Sequence, residues 1–152
     1  MAEIREIITE EDPLLHQEAM EVRRFNNVLH TLLDDMKVTM YKANGVGLAA
    51  PQVGISKRII VVDDGENGFF EMVNPVITQR SGSDEAVEYC LSVPDRGGRV
   101  IRSTKVKVQA QDRFGNPFQV SASGLLARIL QHEIDHLEGK LFTDVMIEEV
   151  WD

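Results

Sequence analysis

The segment from Gln131 to Gly139, QHEIDHLEG, holds the residue types in this chain that are best suited to chemistry. His132 and His136 are four residues apart, with Glu133 beside the first histidine. On a helix, residues four apart lie on one face with Cβ atoms about 5–6 Å apart. Two imidazoles so placed can share a metal ion, and the glutamate can act on water bound to it. The H-E-x-x-H spacing therefore predicts a metal-dependent hydrolase; an ordinary helix with two surface histidines is the alternative.

A catalytic site of this kind typically has three protein ligands and one open position, so a third ligand must come from elsewhere. Cys90 is the strongest candidate because the polar residues Glu88 and Ser92 surround it. A lone cysteine is more often a small buried apolar residue. His16 and His30 are the other candidates, although both fall in predicted N-terminal helices.

The composition narrows the class of protein. The 152 residues are 43% apolar and 27% charged, which predicts one soluble globular domain, residues 1–152. The net charge is −9, and Lys and Arg are scattered, so nucleic acid is not expected as a direct ligand. One cysteine, the lack of a signal-peptide core and the lack of a long apolar run predict a cytoplasmic protein without a membrane span.

Two helices are predicted in the N-terminal part. Asp12 and Pro13 are typical of a helix start, and this short helix is expected to reach about Met20. A longer amphipathic helix is predicted over 25–43 and is expected to stop at Asn44 and Gly45. Its apolar stripe, which we expect to pack in the core, consists of Val28, Leu29, Leu32, Leu33, Met36 and Met40.

The middle of the chain is rich in short strand patterns and ends in the H-E-x-x-H helix. Strands are predicted over 58–62, 69–73, 76–79, 100–111 and 118–121, with the sequence DRGG, 95–98, as a loop. Ser123 is expected to cap a final helix that ends at Gly139. This order predicts an α+β fold: short antiparallel strands in small sheets, packed around the C-terminal metal-binding helix, with an amphipathic helix at the N-terminal side.

The glycine-rich segment GVGLAAPQVG, 45–54, fits the pattern G-x-G-x-x-A of a dinucleotide-binding turn. That turn must follow a strand and open a helix. Here a predicted helix precedes the segment, and Pro51 and Gly54 would break a helix after it. We therefore predict a bend whose backbone can approach a ligand closely.

Three separated stretches, GVGLAAPQ, E-x-CLS and QHEIDHLEG, resemble the three signature motifs of the peptide deformylases, in the same order. The resemblance covers roughly 13–144. It implies hydrolysis of the N-formyl group from the N-terminal formylmethionine of newly made peptides, with release of formate. It also implies one divalent metal ion, Fe²⁺ in the native family with Zn²⁺, Ni²⁺ or Co²⁺ as substitutes, held by Cys90, His132 and His136.

The resemblance also implies roles for residues around that ion. Glu133 would take a proton from the attacking water and deliver it to the leaving amine. The Gln52 amide and the Leu91 backbone N–H would stabilise the oxyanion of the tetrahedral intermediate. The residues implied to contact the peptide, through a methionine pocket and through backbone pairing, are Val46, Gly47, Tyr89, Leu125 and Ile129.

Two features of the chain, residue 89 and the C-terminal tail, depart from the family pattern. Tyr89 stands where the family has glycine, so we expect retained metal binding with altered or weakened peptide hydrolysis; a positive φ there would strain tyrosine. The C-terminal tail is acidic, so a basic ribosome-docking helix is not assumed; ribosome contact is expected to be transient and the protein monomeric. Two rival hypotheses are a non-catalytic relative and a zinc endopeptidase with a third ligand at Glu138, Glu148 or Glu149.

Overall fold

The chain folds into two antiparallel β-sheets and two long helices, which confirms the predicted α+β class. This computed structural model describes residues 1–151. None of the described helices is long and apolar enough to cross a membrane. In chain order the elements are a 3-10 helix (Pro13–His16), α1 (Asn27–Lys42), β1 (Gly47–Ala49), a 3-10 helix (Ala50–Val53), β2 (Ile59–Asp63), β3 (Phe69–Ser81), β4 (Asp84–Cys90), β5 (Val93–Arg102), β6 (Lys105–Gln111), β7 (Pro117–Ser123), α2 (Gly124–Leu137), α3 (Phe142–Val145) and β8 (Glu148–Trp151).

The larger sheet has the strand order β1-β2-β3-β6-β7, and the smaller has the order β4-β5-β8. Successive side chains of a strand point to opposite faces of the sheet, and both faces of β2 are buried. Ile60 and Val62 pack in the cluster that contains α2, whereas Ile59 and Val61 pack in the cluster that contains α1. The five-stranded sheet therefore lies between the two long helices, and α2 is a core element.

Helix α1 forms where the apolar stripe predicted it. The Asn26 side chain accepts a hydrogen bond from Leu29 N at 3.2 Å and caps the helix, and Asn44 follows its end with a φ of 57°. Val28, which we predicted in the stripe, is 72% exposed. It lies about 100° around the helix from Leu29, outside the buried arc.

The prediction of a short helix from Pro13 to Met20 is wrong. Only one 3-10 turn forms, from Pro13 to His16, with Asp12 accepting from Leu14 N. Beyond it, Ala19 N donates to Leu137 O and Met20 N donates to Ser56 O. Tertiary hydrogen bonds thus replace the helical ones in this segment.

Three strand predictions and one loop prediction also need correction. The predicted strands 69–73 and 76–79 form one strand, β3, with a register shift where Asn74 has a φ of 53° and binds Val22 N through its side chain. The stretch 100–111 divides between β5 and β6, which belong to different sheets. The predicted loop 95–98 lies inside β5, where it pairs with β8.

The predicted Ser123 cap is also absent. Its side chain makes no capping hydrogen bond to α2, and Gly124 N instead donates to Thr104 O. The start of α2 is therefore fixed by a backbone contact to the β5–β6 connection.

Leu130→Ala is expected to lower the free energy of unfolding by about 2–5 kcal/mol, because Leu130 is fully buried between α2 and the sheet. Urea unfolding followed by circular dichroism measures the change. Val28→Ala, at an exposed helical position, is the matched control and should change stability by about 0.5 kcal/mol or less. A Leu130→Ala variant as stable as this control would show that α2 is not a core helix.

Candidate active site

Helix α2 carries the three H-E-x-x-H residues on its buried side. His132 and Glu133 are 8% and 4% exposed, and His136 is fully buried. The two imidazole rings lie edge to face, with centroids 5.3 Å apart and an interplanar angle of 68°. The prediction that this motif lies on a helix is therefore confirmed.

Cys90, at the end of β4, is brought to the same place. Its Sγ lies 3.4 Å from Nε2 of His136. The ligand atoms of Cys90, His132 and His136 all lie within 4.8 Å of one another. The other candidate ligands are elsewhere: the ring of His16 contacts Glu10 O at 2.7 Å, and the ring of His30 contacts Arg113 O at 2.8 Å.

The chemistry of this cluster fits a divalent cation. One sulfur and two imidazole nitrogens suit Fe, Zn, Co and Ni. Burial lowers the pKa of His136, which favours the neutral form that a metal ligand must have. Burial also acts to lower the pKa of His132, but the Cys90 sulfur and the Glu88 carboxylate raise it overall. Of these two groups, the Cys90 sulfur belongs to the cluster, and a sulfur that attracts a proton there would also attract a cation.

Glu88 orients His132. Its Oε1 lies 2.8 Å from His132 Nδ1, which leaves Nε2 of that ring directed at the cluster. Arg102 binds the same carboxylate with two hydrogen bonds of 2.8 and 2.9 Å, and Arg128 adds a third at 2.7 Å. Burial alone would raise the pKa of Glu88, but Arg102 and His132 outweigh it and hold the pKa well below its usual range. Glu88 is thus a fixed carboxylate that supports His132 from the side of the ring opposite the cluster.

Glu88→Gln is expected to weaken metal affinity by about 10–100-fold, because the amide supports His132 less strongly than the carboxylate. Titration of the metal against a chelator measures the affinity. Glu85→Gln, at an exposed position on the same strand, is the control and should bind metal like the parent. Equal affinity in Glu88→Gln and the parent would remove Glu88 from this role.

One carboxylate oxygen of Glu133 has no hydrogen-bond partner among the described residues. This oxygen, Oε1, is buried. Burial raises the pKa of Glu133 to about 7, and a cation nearby would lower it. Gly47 makes room for this carboxylate, since a Cβ there would lie 2.6 Å from Glu133 Oε2. The geometry therefore leaves a polar atom of Glu133 ready for a ligand.

Gln52 is clamped on the other side of the cluster. It is 1% exposed, and its Oε1 accepts from Ala49 N at 2.9 Å. Its Nε2 donates to Ser92 Oγ at 3.1 Å and faces Cys90 Sγ at 3.6 Å. One N–H of this amide therefore binds Ser92, and the other is directed toward the ligand cluster.

One cavity of about 360 Å³ joins these groups. Its wall contains all the predicted site residues except the fully buried His136, and it adds four residues that carried no prediction of substrate contact or catalysis. The predicted residues in the wall are Val46, Gly47, Gln52, Tyr89, Cys90, Leu91, Leu125, Ile129, His132 and Glu133. The four others are Asn44, Gly45, Val87 and Arg128. Glu88, which the sequence analysis named as a polar neighbour of Cys90, also lines the wall. A second cavity of about 520 Å³, beside the start of α1, contains none of them.

The ligands required by the zinc endopeptidase hypothesis are engaged elsewhere. Glu138 pairs with Arg58 at 2.7 Å, Glu148 with Arg99 at 3.3 Å, and Glu149 with Arg96 at 2.5 Å. None of the three glutamates belongs to the cluster formed by Cys90 and the two histidines. The arrangement therefore does not support this rival.

The sequence did not reveal the role of three residues. Arg102 and Arg128, which bind Glu88, are 14 and 40 positions from it, and no spacing rule connects them. Ser92 was noted only as a polar neighbour of Cys90, although it is fully buried and accepts from Gln52. Glu88 is the one buried residue of β4, and a buried charge needs partners, but no pattern in the sequence indicated that Glu88 is buried.

Known proteins resemble this chain over nearly its whole length. The family model described as polypeptide deformylase matches residues 4–150. A peptide deformylase of Caldicellulosiruptor bescii is 56% identical over 147 residues, which are 97% of this chain and 88% of that protein. A crystal structure of a peptide deformylase from Legionella pneumophila superposes with a TM-score of 0.91 at 48% identity, covering 94% of this chain and 86% of that one.

A third comparison agrees in fold and length. The structure of peptide deformylase from Thermotoga maritima has a TM-score of 0.91 at 40% identity and covers 94% of this chain and 97% of its own. The three motifs, the ligand cluster on α2 and β4, and these similarities over the full fold have one explanation: the chain belongs to the polypeptide deformylase family.

Proposed function

We propose that this peptide deformylase removes the formyl group from N-formylmethionyl peptides in the cavity beside Cys90, His132 and His136. The products are formate and a free amino terminus. The observation that carries the proposal is the buried Glu133 carboxylate, which lines the same cavity as Cys90 and His132 and has one oxygen without a partner among the described residues.

Cys90 Sγ, His132 Nε2 and the His136 imidazole would hold one divalent cation. We assign it as Fe²⁺ from the family resemblance, with Zn²⁺, Ni²⁺ or Co²⁺ as substitutes, since the donor set suits all four. When bound, such a cation polarises a carbonyl oxygen and makes water more acidic. Glu88 keeps the His132 ring in the orientation that directs Nε2 at it.

Glu133 would act as the general base and then as the general acid. Its carboxylate accepts a proton from the attacking water and returns it to the nitrogen of the leaving amine. Proton transfer of this kind by a positioned side chain is general acid–base catalysis. Gly47 contributes by lacking a Cβ, which would otherwise displace this carboxylate.

Gln52 and Leu91 would stabilise the developing oxyanion. The Gln52 amide is fixed by Ala49 N and Ser92 Oγ, so its second N–H needs little reorientation. That N–H now faces the Cys90 sulfur at 3.6 Å, which is a weak acceptor. The backbone N–H of Leu91 is the second donor in this proposal.

The cavity lies between the two sheets. Strand β1 is at an edge of the five-stranded sheet and β4 is at an edge of the three-stranded one. An extended peptide between them would pair with the backbones of Gly47 and Tyr89. The methionine side chain would then enter the apolar part of the wall formed by Val46, Leu125 and Ile129.

The protein would act as a cytoplasmic monomer that meets nascent peptides with transient ribosome contact. The acidic strand β8 (Glu148–Trp151) pairs with β5 and offers no basic helix to RNA, so we propose no stable docking through this segment. Light scattering during gel filtration measures the molar mass of the protein in solution, which should be that of one chain.

Formate release from formyl-Met-Ala-Ser tests the function directly. The protein is purified without oxygen, its metal content is measured, and formate and peptide fragments are quantified. We expect one divalent metal per chain, formate, and intact Met-Ala-Ser. Internal cleavage without formate would support an endopeptidase and contradict the proposal.

A further inference from the structure

Three residues that line the cavity, from three separate parts of the chain, have exposed apolar side chains. Val46 precedes β1, Tyr89 lies on β4 and Leu125 lies in the first turn of α2; they are 47%, 55% and 56% exposed. Single exposed apolar residues are ordinary, but a group around one cleft indicates a ligand with apolar parts. Val46 and Leu125 are accounted for by the methionine pocket, and the Tyr89 side chain is not.

The Tyr89 backbone is unstrained. Within the described residues, positive φ values at non-glycine positions occur at Asn44, Asn74 and Asp95. Tyrosine thus takes the place of the family glycine without a left-handed backbone, and its main chain remains able to pair with a peptide. The expected backbone cost of this replacement is absent, so any effect of Tyr89 comes from its ring.

The ring of Tyr89 lies against β5. A Cβ added to Gly97 would be 2.7 Å from Tyr89 Cε1 and 2.9 Å from Cδ1, so the ring packs directly over this buried glycine. The neighbouring strand therefore restricts the ring before any ligand arrives. An aromatic surface that is already oriented binds at a low cost in conformational entropy.

We propose that Tyr89 is a specificity-determining residue that contacts the side chain of the amino acid after formylmethionine and favours apolar and aromatic residues there. The inference depends on the proposed function, because it requires an extended peptide between β1 and β4. Such a peptide passes residue 89 immediately after the reacting group, since Tyr89 adjoins the ligand Cys90. An aromatic side chain can pack against the exposed ring, whereas a carboxylate would lose hydration without gaining a partner.

The test compares formyl-Met-Phe-Ser with formyl-Met-Asp-Ser in the metal-loaded enzyme. The parent is expected to have the higher kcat/KM with phenylalanine. In Tyr89→Gly the phenylalanine preference should fall about fivefold, mainly through KM, because one aromatic contact is lost. Tyr89→Phe keeps the ring and should retain the parent preference. Ile101→Ala is the matched control, since Ile101 is also 55% exposed, on the same small sheet, but lies outside the cavity.

Each other outcome identifies a different failure. If Tyr89→Gly shows the parent preference, or slows both peptides by the same factor, Tyr89 does not select the second residue and the inference is wrong. If the metal-loaded parent releases no formate from either peptide, the proposed function itself fails and the inference fails with it. Melting temperatures identify a variant that has lost its fold. If Tyr89→Gly is such a variant, Tyr89→Ala, which removes the ring but keeps a Cβ, decides the case by the same ratio of kcat/KM values.

Discussion

Glu133→Ala is expected to bind its metal like the parent and to release formate roughly 10²–10⁴-fold more slowly, the usual contribution of a positioned acid–base group. The Glu133 carboxylate is not part of the cluster formed by Cys90, His132 and His136, so its loss should leave the three metal ligands intact. It lines the cavity and has an oxygen without a protein partner within residues 1–151, so its loss should remove the proton acceptor. Metal analysis and a formate assay on the same sample measure both quantities.

Glu138→Ala is the control for this variant. Glu138 follows the same helix but pairs with Arg58 outside the cavity, and its removal should leave formate release unchanged. A Glu133→Ala enzyme that produces formate as fast as the parent would show that the proton is handled by another group. A variant that loses metal and activity together would instead make Glu133 a part of the metal site.

Cys90→Ser is expected to give the second large effect, a loss of both metal and activity. A metal ligand must be deprotonated, and a serine hydroxyl stays neutral at pH 7, so the cluster loses its one anionic donor. The affinity should fall by more than the roughly 10–100-fold expected for the outer residue Glu88. Chelator titrations of the two variants beside the parent measure this order.

The order of the metal affinities of the two variants is informative in itself. If Cys90→Ser keeps the full metal content while Glu88→Gln loses it, the sulfur is not a ligand and another side chain completes the set. Unfolding curves for both variants separate metal loss from a damaged fold, since Glu88 is buried under Arg102.

The parts of this fold that follow local rules could be predicted from the sequence. Helix α2 and its histidine spacing, the buried strand β2 and the stripe of α1 all depend on the periodicity of a few neighbouring residues. The pairing of Cys90 with that helix does not, because 42 positions separate Cys90 from His132. It was predicted from the resemblance of three motifs.

What the sequence could not predict depends on contacts between distant segments. The extended chain after His16 forms because Leu137 and Ser56 supply its hydrogen bonds. The segment Asp95–Gly98 joins β5 because β8 pairs with it, although its composition favours a turn. Likewise, the Glu88 carboxylate needs two arginines that only the assembled sheet and helix bring together.

A crystal structure of the zinc-loaded protein, with anomalous diffraction at the zinc edge, would show which side chains bind the metal. We predict one ion with Cys90 Sγ at about 2.3 Å and nitrogens of His132 and His136 at about 2.0–2.1 Å. An ion bound by the two histidines with Cys90 Sγ more than about twice that sulfur distance away would show that Cys90 is not a ligand.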